Sequence, residues 1–128
     1  MKDVNLRKSV ALPNAANTVN TNTIELPQQA VRPFSTNVRV RLYNTVATGA
    51  NSKNISYVLY GSNESNGANA VVASQTFTVS GNATNHAASD REFYLGPDLD
   101  KKYVFGSATG EANGGDASDG TLYVEVID

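Results

Sequence analysis

Serine hydrolase chemistry in this chain would depend on His86, its single histidine. Ser80 or Ser89, together with His86 and Asp90, supplies the residue types of a Ser–His–Asp triad within a short segment. The segment lacks the G-x-S-x-G motif that holds the nucleophile on a strained turn in α/β hydrolases. We therefore interpret His86 as a histidine of a surface loop and disfavour hydrolase activity.

Two groups of carboxylates are the other candidates for chemistry. Asp98 and Asp100 lie on one tight turn, whereas glycoside hydrolysis needs two carboxyl groups that face each other across a cleft. Asp116 and Asp119 in the segment Gly114–Gly120 offer oxygen ligands for calcium, but their spacing is not that of an EF-hand loop. Our interpretation is a turn with solvated carboxylates. We predict no catalytic residue, no metal site and no cofactor, and expect that the protein is not an enzyme.

Cysteine content and charge exclude further classes of function. The chain has 128 residues and no cysteine, which excludes disulfides, zinc–thiolate sites, iron–sulfur clusters and a cysteine nucleophile. Its 10 basic and 12 acidic residues give a net charge of -2, whereas an electrostatic nucleic-acid binder carries a basic stripe. No apolar run approaches the roughly 20 residues of a membrane helix. We expect neither a nucleic acid nor a membrane as a partner.

The elements that would position any site are predicted to be strands. Leu, Glu and Lys are few, whereas Thr and Val are abundant, which favours strands over helices. From Ile24 onward, apolar and polar residues alternate with the period of two that is typical of half-buried strands. The predicted fold class is all-β, a single antiparallel β-sandwich or jelly-roll-like domain. The predicted strands cover 24–26, 36–44, 55–60, 71–79, 91–95, 102–107 and 121–127, with a further edge piece at 30–34.

The first 23 residues are predicted to be an extended polar N-terminal arm, followed by the sandwich domain at 24–128. The stretch Asn14–Thr23 is close to low complexity and has too few apolar groups to offset the entropy of ordering it. The arm is either a frayed terminus or a tether that orders on a partner. Residues 1–16 contain no continuous apolar segment of a secretory signal, so we expect synthesis in the cytoplasm.

Six segments between residues 36 and 127 follow one another in a recognisable order: Val38–Tyr43, Tyr57–Gly67, Phe77–Val79, Glu92–Pro97, Lys102–Phe105 and Gly120–Ile127. This order resembles that of the small capsid decoration, or cement, proteins of tailed bacteriophages. The resemblance implies a β-sandwich on the outside of the phage head that clamps neighbouring subunits of the major capsid protein. It further implies a dimer or trimer, made in the host cytoplasm and located on the virion capsid surface, without catalytic or ligand-binding residues.

The residues that alternate with the predicted core positions are the candidates for a partner interface. Arginine and tyrosine are enriched at protein interfaces, and tyrosine provides contact area at low entropic cost. An ordinary outer face with cross-strand charge pairs would show the same pattern, so both interpretations stay open. The candidate interface residues are Arg39, Arg41, Tyr43, Glu92, Tyr94, Tyr123 and Glu125.

The alternative function is carbohydrate binding, either as a β-sandwich module or as a phage receptor-binding or tail lectin. Sugar sites commonly combine an exposed aromatic platform with nearby polar groups. Tryptophan is absent from this chain, but Tyr60 and Tyr103 are available as platforms.

Overall fold

The computed structural model describes residues 7–26, 38–47, 54–80, 86, 88–95, 101–111 and 115–127. These residues form nine strands, and no helix long and apolar enough to cross a membrane occurs among them. The strands are β1 (Arg7–Ala11), β2 (Thr18–Asn20), β3 (Ile24–Glu25), β4 (Val38–Asn44), β5 (Asn54–Ser62), β6 (Val71–Ser80), β7 (Ser89–Leu95), β8 (Tyr103–Thr109) and β9 (Thr121–Ile127).

The strands form two antiparallel sheets that pack against each other. The front sheet has the order β1-β9-β4-β7, and the back sheet has the order β2-β8-β5-β6, with β3 also paired to β8. From β3 to β9 the chain changes sheet at every connection except the β5–β6 hairpin, which is the connectivity of a jelly roll. The predicted all-β antiparallel sandwich is confirmed.

The period-two pattern of β4 and β9 decides which face of the front sheet is buried. Val40 and Leu42 are fully buried in β4, and Leu122 and Val124 are fully buried in the neighbouring β9. Because successive side chains of a strand point to opposite faces, the residues between them face away from the core.

A glycine of the back sheet makes room for a side chain of the front sheet. A Cβ atom on Gly106 of β8 would lie 2.6 Å from Leu42 Cδ1, so glycine leaves the room that Leu42 fills. Tyr57 and Leu59 of the neighbouring strand β5 also belong to the core and are fully buried. Tight packing of this kind is what makes a core sensitive to small changes of volume.

The structure departs from the predicted N-terminal boundary. Residues 7–23 do not form an arm outside the sandwich: β1 pairs with β9 and β2 pairs with β8. Leu12 is 2% exposed and belongs to the core, and its amide donates a hydrogen bond to the Gly120 carbonyl at 3.0 Å. The segment is polar because β1 and β2 are short edge strands, and its larger apolar residues, Val10, Leu12 and Val19, pack against the core. Residues 1–6 lie outside the described residues.

Truncation of Leu12 tests whether the N-terminal segment is part of the core. We expect Leu12→Ala to lower the free energy of unfolding by about 2–5 kcal/mol, the usual cost of a large-to-small change at a buried position. Ser9→Ala, an exposed position on the adjacent strand, is the matched control and should stay within about 0.5 kcal/mol of wild type. Urea denaturation measures both values, and an equally small loss for Leu12→Ala would restore the predicted boundary at residue 24.

Candidate functional site

The strand register brings the candidate interface residues together on the outward surface of the front sheet, called the front face below. Arg39 lies opposite Tyr94 of β7, and Arg41 lies opposite Glu92 of β7 and Glu125 of β9. At the other end of the row Tyr43 lies opposite Tyr123. Residues that the sequence places on three separate segments therefore form one continuous patch.

An ion-pair cluster occupies the middle of the front face. Arg41 donates from Nε to Asp90 Oδ1 at 2.9 Å and from Nη2 to Asp90 Oδ2 at 2.6 Å, a two-point contact that fixes the guanidinium plane. Arg41 Nη1 also lies 3.9 Å from Glu125 Oε1. The hydrogen bond to Asp90 raises the pKa of Arg41, and the same bond lowers the pKa of the Asp90 carboxyl.

Aromatic stacking extends this cluster across the face. The Arg41 guanidinium carbon lies 4.1 Å from the centroid of the Tyr43 ring, within the range of a cation–π contact. Tyr43 stacks on Tyr123 with centroids 4.9 Å apart and rings inclined by 13°. On the far side, the Arg7 guanidinium carbon lies 5.8 Å from the Tyr123 centroid. Each side chain in the row limits the rotamers of its neighbours.

Two members of the patch, Asp90 and Arg7, are not among the interface residues predicted from the sequence. Asp90 continues the alternation of Glu92 and Tyr94 by one step, but it lies at the predicted boundary between loop and strand. Arg7 lies in the segment that was predicted to be an arm. The extended alternation of β7 is the signal that could have identified Asp90, whereas only the pairing of β1 with β9 identifies Arg7.

Accessibility within the patch differs from the prediction at one position. Tyr94 is 61% exposed and is the most exposed of the large apolar side chains in the described residues. Glu125, which was expected to meet a partner, is 2% exposed although it lies on the outward side of its strand. Its neighbours on the face cover it, and its carboxyl group lies near Arg41 within the patch.

His86 is not a surface histidine, and this corrects the sequence interpretation. Its side chain is fully buried, and its Nε2 shares a 2.9 Å hydrogen bond with the Tyr57 hydroxyl. Its backbone pairs with Ala47 in both directions, at 3.0 and 2.8 Å. The ring therefore links an irregular connection to the centre of the back sheet.

The structure does not assemble the Ser–His–Asp combination. Ser89 donates its hydroxyl to Asn44, and Asp90 binds Arg41, so neither orients the imidazole. The side chain of Ser80 lies outside the described residues. Burial lowers the pKa of His86 and raises the pKa of Tyr57, which keeps both side chains neutral.

The remaining sequence candidates also do not converge. Hydrogen bonding from the Ser118 side chain and from the Ser118 amide, the latter at 2.9 Å, lowers the pKa of the Asp116 carboxyl. Within the described part of the chain no group of three His, Cys, Asp or Glu side chains could hold a metal ion. Asp98 and Asp100 lie outside the described residues.

The two tyrosines considered as platforms for a sugar are both partly covered. Tyr60 stacks on Phe105 at 5.3 Å, and Tyr103 is half-buried further along β8.

Comparison with known proteins yields no family and only distant structural matches. No protein-family model matches the chain, and no curated protein matches it. The VP2 subviral particle of infectious bursal disease virus is similar at a TM-score of 0.48 and 12% identity, over 94% of this chain and 29% of that one. The K3 adhesin domain of Lys-gingipain from Porphyromonas gingivalis is similar at a TM-score of 0.44 and 18% identity, over 89% of this chain and 63% of that one.

A carbohydrate-binding module, TmCBM61 in complex with β-1,4-galactotriose, is similar at a TM-score of 0.43 and 12% identity, over 93% of this chain and 68% of that one. This chain therefore spans less than a third of the viral capsid protein and about two-thirds of the other two. Proteins with unrelated functions share such sandwiches. With TM-scores below 0.5, these matches carry no argument about function, which is inferred from the chain's own surface.

Acidification tests the environment of His86. Because burial lowers its folded pKa below the ordinary 6.5, the unfolded chain takes up the proton first. Stability is complete above about pH 6.5 and declines as the pH falls toward the folded pKa, with a slope of at most about 1.4 kcal/mol per pH unit. Urea denaturation between pH 7.5 and 5 measures this slope above the ordinary range of the carboxylates, roughly 3.9–4.3.

The variant His86→Gln is the control because it removes the only histidine of the chain. Its free energy of unfolding should be lower overall but nearly constant over the same pH interval. A wild-type profile as flat as that of His86→Gln, or an equal slope in both proteins, would contradict the assignment.

Proposed function

We propose that this protein is a structural virion protein that binds the outer surface of a phage capsid through its front face. There it stabilises contacts between neighbouring subunits of the major capsid protein. The observation that carries the proposal is the ordered row Arg41, Tyr43 and Tyr123 beside the exposed Tyr94. The resemblance of the segments between residues 36 and 127 to capsid decoration proteins supports this choice of partner.

Order in the free protein is what makes this face suitable for binding. Immobilising a flexible side chain at an interface costs about 0.5–1.5 kcal/mol, and preorganisation removes part of that cost. Arg41 is already held by two hydrogen bonds to Asp90, and the Tyr43 and Tyr123 rings are already stacked. Tyr94 provides exposed aromatic area next to this rigid group.

The face also offers mixed charge and a shallow recess. Arg7 lies at the β1 edge of the sheet and Arg39 on β4, while Asp90 and Glu92 lie on β7, so the patch carries charges of both signs that a partner can pair with. A recess of about 310 Å³ beside β4 and β7 can receive a partner side chain; its lining residues are Arg41, Tyr43, Asn44, Ala88, Ser89 and Asp90.

Stabilisation of a shell follows from mass action. A protein that binds the assembled shell but not the separated subunits stabilises it by RT ln(1 + [L]/Kd) per site, about 2.7 kcal/mol at a hundredfold excess over Kd. Repetition of the site over the whole shell multiplies this increment. A dimer or trimer of the protein would let one assembly contact several capsid subunits at once.

Co-sedimentation with purified capsid shells tests the proposal. We expect Tyr94→Ala combined with Arg39→Ala to weaken binding to the shells of the encoding phage by about thirtyfold or more, since interface hot spots contribute about 2 kcal/mol each. The melting temperature should stay unchanged because neither side chain fills the core. Arg41 is left intact, because its reversal to Glu would place a third carboxylate beside Asp90 and the buried Glu125.

Val72→Ala is the matched control, because Val72 is an exposed apolar residue on the back sheet, 48% accessible. It should bind shells as wild type does. Equal binding of the front-face variant and wild type would exclude this face as the interface, and absence of wild-type binding to any shell would overturn the capsid function.

A further inference from the structure

We propose that the outer side of the back sheet carries a binding site for a neutral saccharide. The site is a cleft of about 230 Å³ between the β2–β3 connection and the β5–β6 turn. It lies on the sheet opposite to the front face, so it is independent of the proposed capsid contact. Its lining residues are Asn20, Thr21, Asn22, Thr23, Ser65, Asn66, Gly67 and Phe105.

The wall formed by residues 20–23 is fixed to the sheet. The Thr21 amide donates to the Gly106 carbonyl at 2.9 Å, and the Gly106 amide donates to Thr21 Oγ1 at 3.0 Å. The strands on either side of this connection, β2 and β3, both pair with β8. Asn20 and Asn22 are therefore carried on a backbone that is held at both ends.

The opposite wall is fixed to the first one and to Phe105. Thr23 Oγ1 donates to the Ser65 carbonyl at 2.6 Å, which ties the two walls together. Gly67 has a φ of +82° and approaches Phe105 so closely that a Cβ atom would lie 3.1 Å from the ring. Asn66 Oδ1 accepts the Ala68 amide at 3.0 Å and closes the turn. The cleft is thus formed before any ligand arrives.

The cleft is lined by asparagine side chains whose amide groups are available for hydrogen bonds to a ligand. The side chains of Asn20 and Asn22 are exposed and make no hydrogen bond within the described part of the chain. An asparagine amide offers two donors and a carbonyl acceptor in one plane. A sugar hydroxyl also both donates and accepts, so paired amides suit adjacent hydroxyl groups. Phe105, which is 7% exposed and stacks on Tyr60 at 5.3 Å, adds a small apolar area to the lining for the C–H groups of a sugar ring.

The volume of the cleft and the lack of charged groups in its lining restrict the class of ligand that can bind. None of the lining side chains is ionisable, so the cleft contains no counter-charge for a phosphate, a carboxylate or a cation. A peptide would bind more readily along a free strand edge, where backbone groups supply the affinity. The volume lies below the roughly 300–1,000 Å³ of pockets that enclose drug-sized ligands. One sugar ring, free or at the end of an oligosaccharide, fits these limits.

Glycan-array binding followed by calorimetric titration tests this site. The wild-type protein is applied to an array of immobilised mono- and oligosaccharides, and the free form of the strongest binder is then titrated into each variant. We expect the double variant Asn20→Ala, Asn22→Ala to weaken binding at least about tenfold, because the hydrogen bonds to the ligand are lost. Its melting temperature should match wild type, since neither side chain contributes to the fold.

Asn14→Ala is the matched control, because it removes an exposed asparagine outside the cleft. The front-face variant Tyr94→Ala with Arg39→Ala should also keep wild-type glycan affinity, which separates this site from the capsid interface. Binding to no glycan on the array, or equal affinity of the cleft variant and wild type, would overturn the proposal.

Discussion

The contact of the two inner sheet faces is the constraint on which the rest of this structure depends. The sheets approach each other at Gly106, where the missing side chain leaves space for Leu42 from the opposite sheet. A one-residue slip of β4 would move Leu42 to solvent and bring Arg41 or Tyr43 into the core. The packing of the core therefore also determines which side chains form the front face.

An outward position is not the same as an accessible one in this protein. Glu125 faces away from the core and is nevertheless almost completely covered, close to Arg41. Arg41 serves Asp90 and Glu125 at once, so it contributes to the integrity of the sheet surface as well as to any contact with a partner. Exposed members of the patch, above all Tyr94, do not stabilise the sheet surface in this way. Their substitution is therefore a better probe of binding.

The two proposed surfaces lie on opposite sheets, and this arrangement has a consequence for a protein attached to a shell. With the front face against the capsid, the cleft of the back sheet points to the surrounding solution. A saccharide on another particle or on a cell surface could then reach it without displacing the capsid contact. The two functions would be compatible because the sandwich separates them by its own thickness, with sheets about 10 Å apart.

The sequence by itself determined the strand segments with clean alternation and the side to which their residues point. One such segment is β4, in which the buried residues Val40 and Leu42 alternate with Arg39, Arg41 and Tyr43. The alternation arises because burial of one face of a strand requires apolar residues at every second position. The same rule placed each candidate interface residue on the outward side of its own strand, and the pairing of β4 with β7 and β9 then brought them onto one surface.

Features that depend on contacts between residues far apart in the sequence were decided only by the tertiary structure. Strands β1 and β2 are too short and polar to be recognised alone, and they become ordered by pairing with β9 and β8 near the other end of the chain. His86 stands in a segment without apolar pattern, yet it reaches Tyr57 in the core. The cleft joins Asn22 to Asn66 across the fold, and residues so far apart in sequence meet only after the sheets have formed.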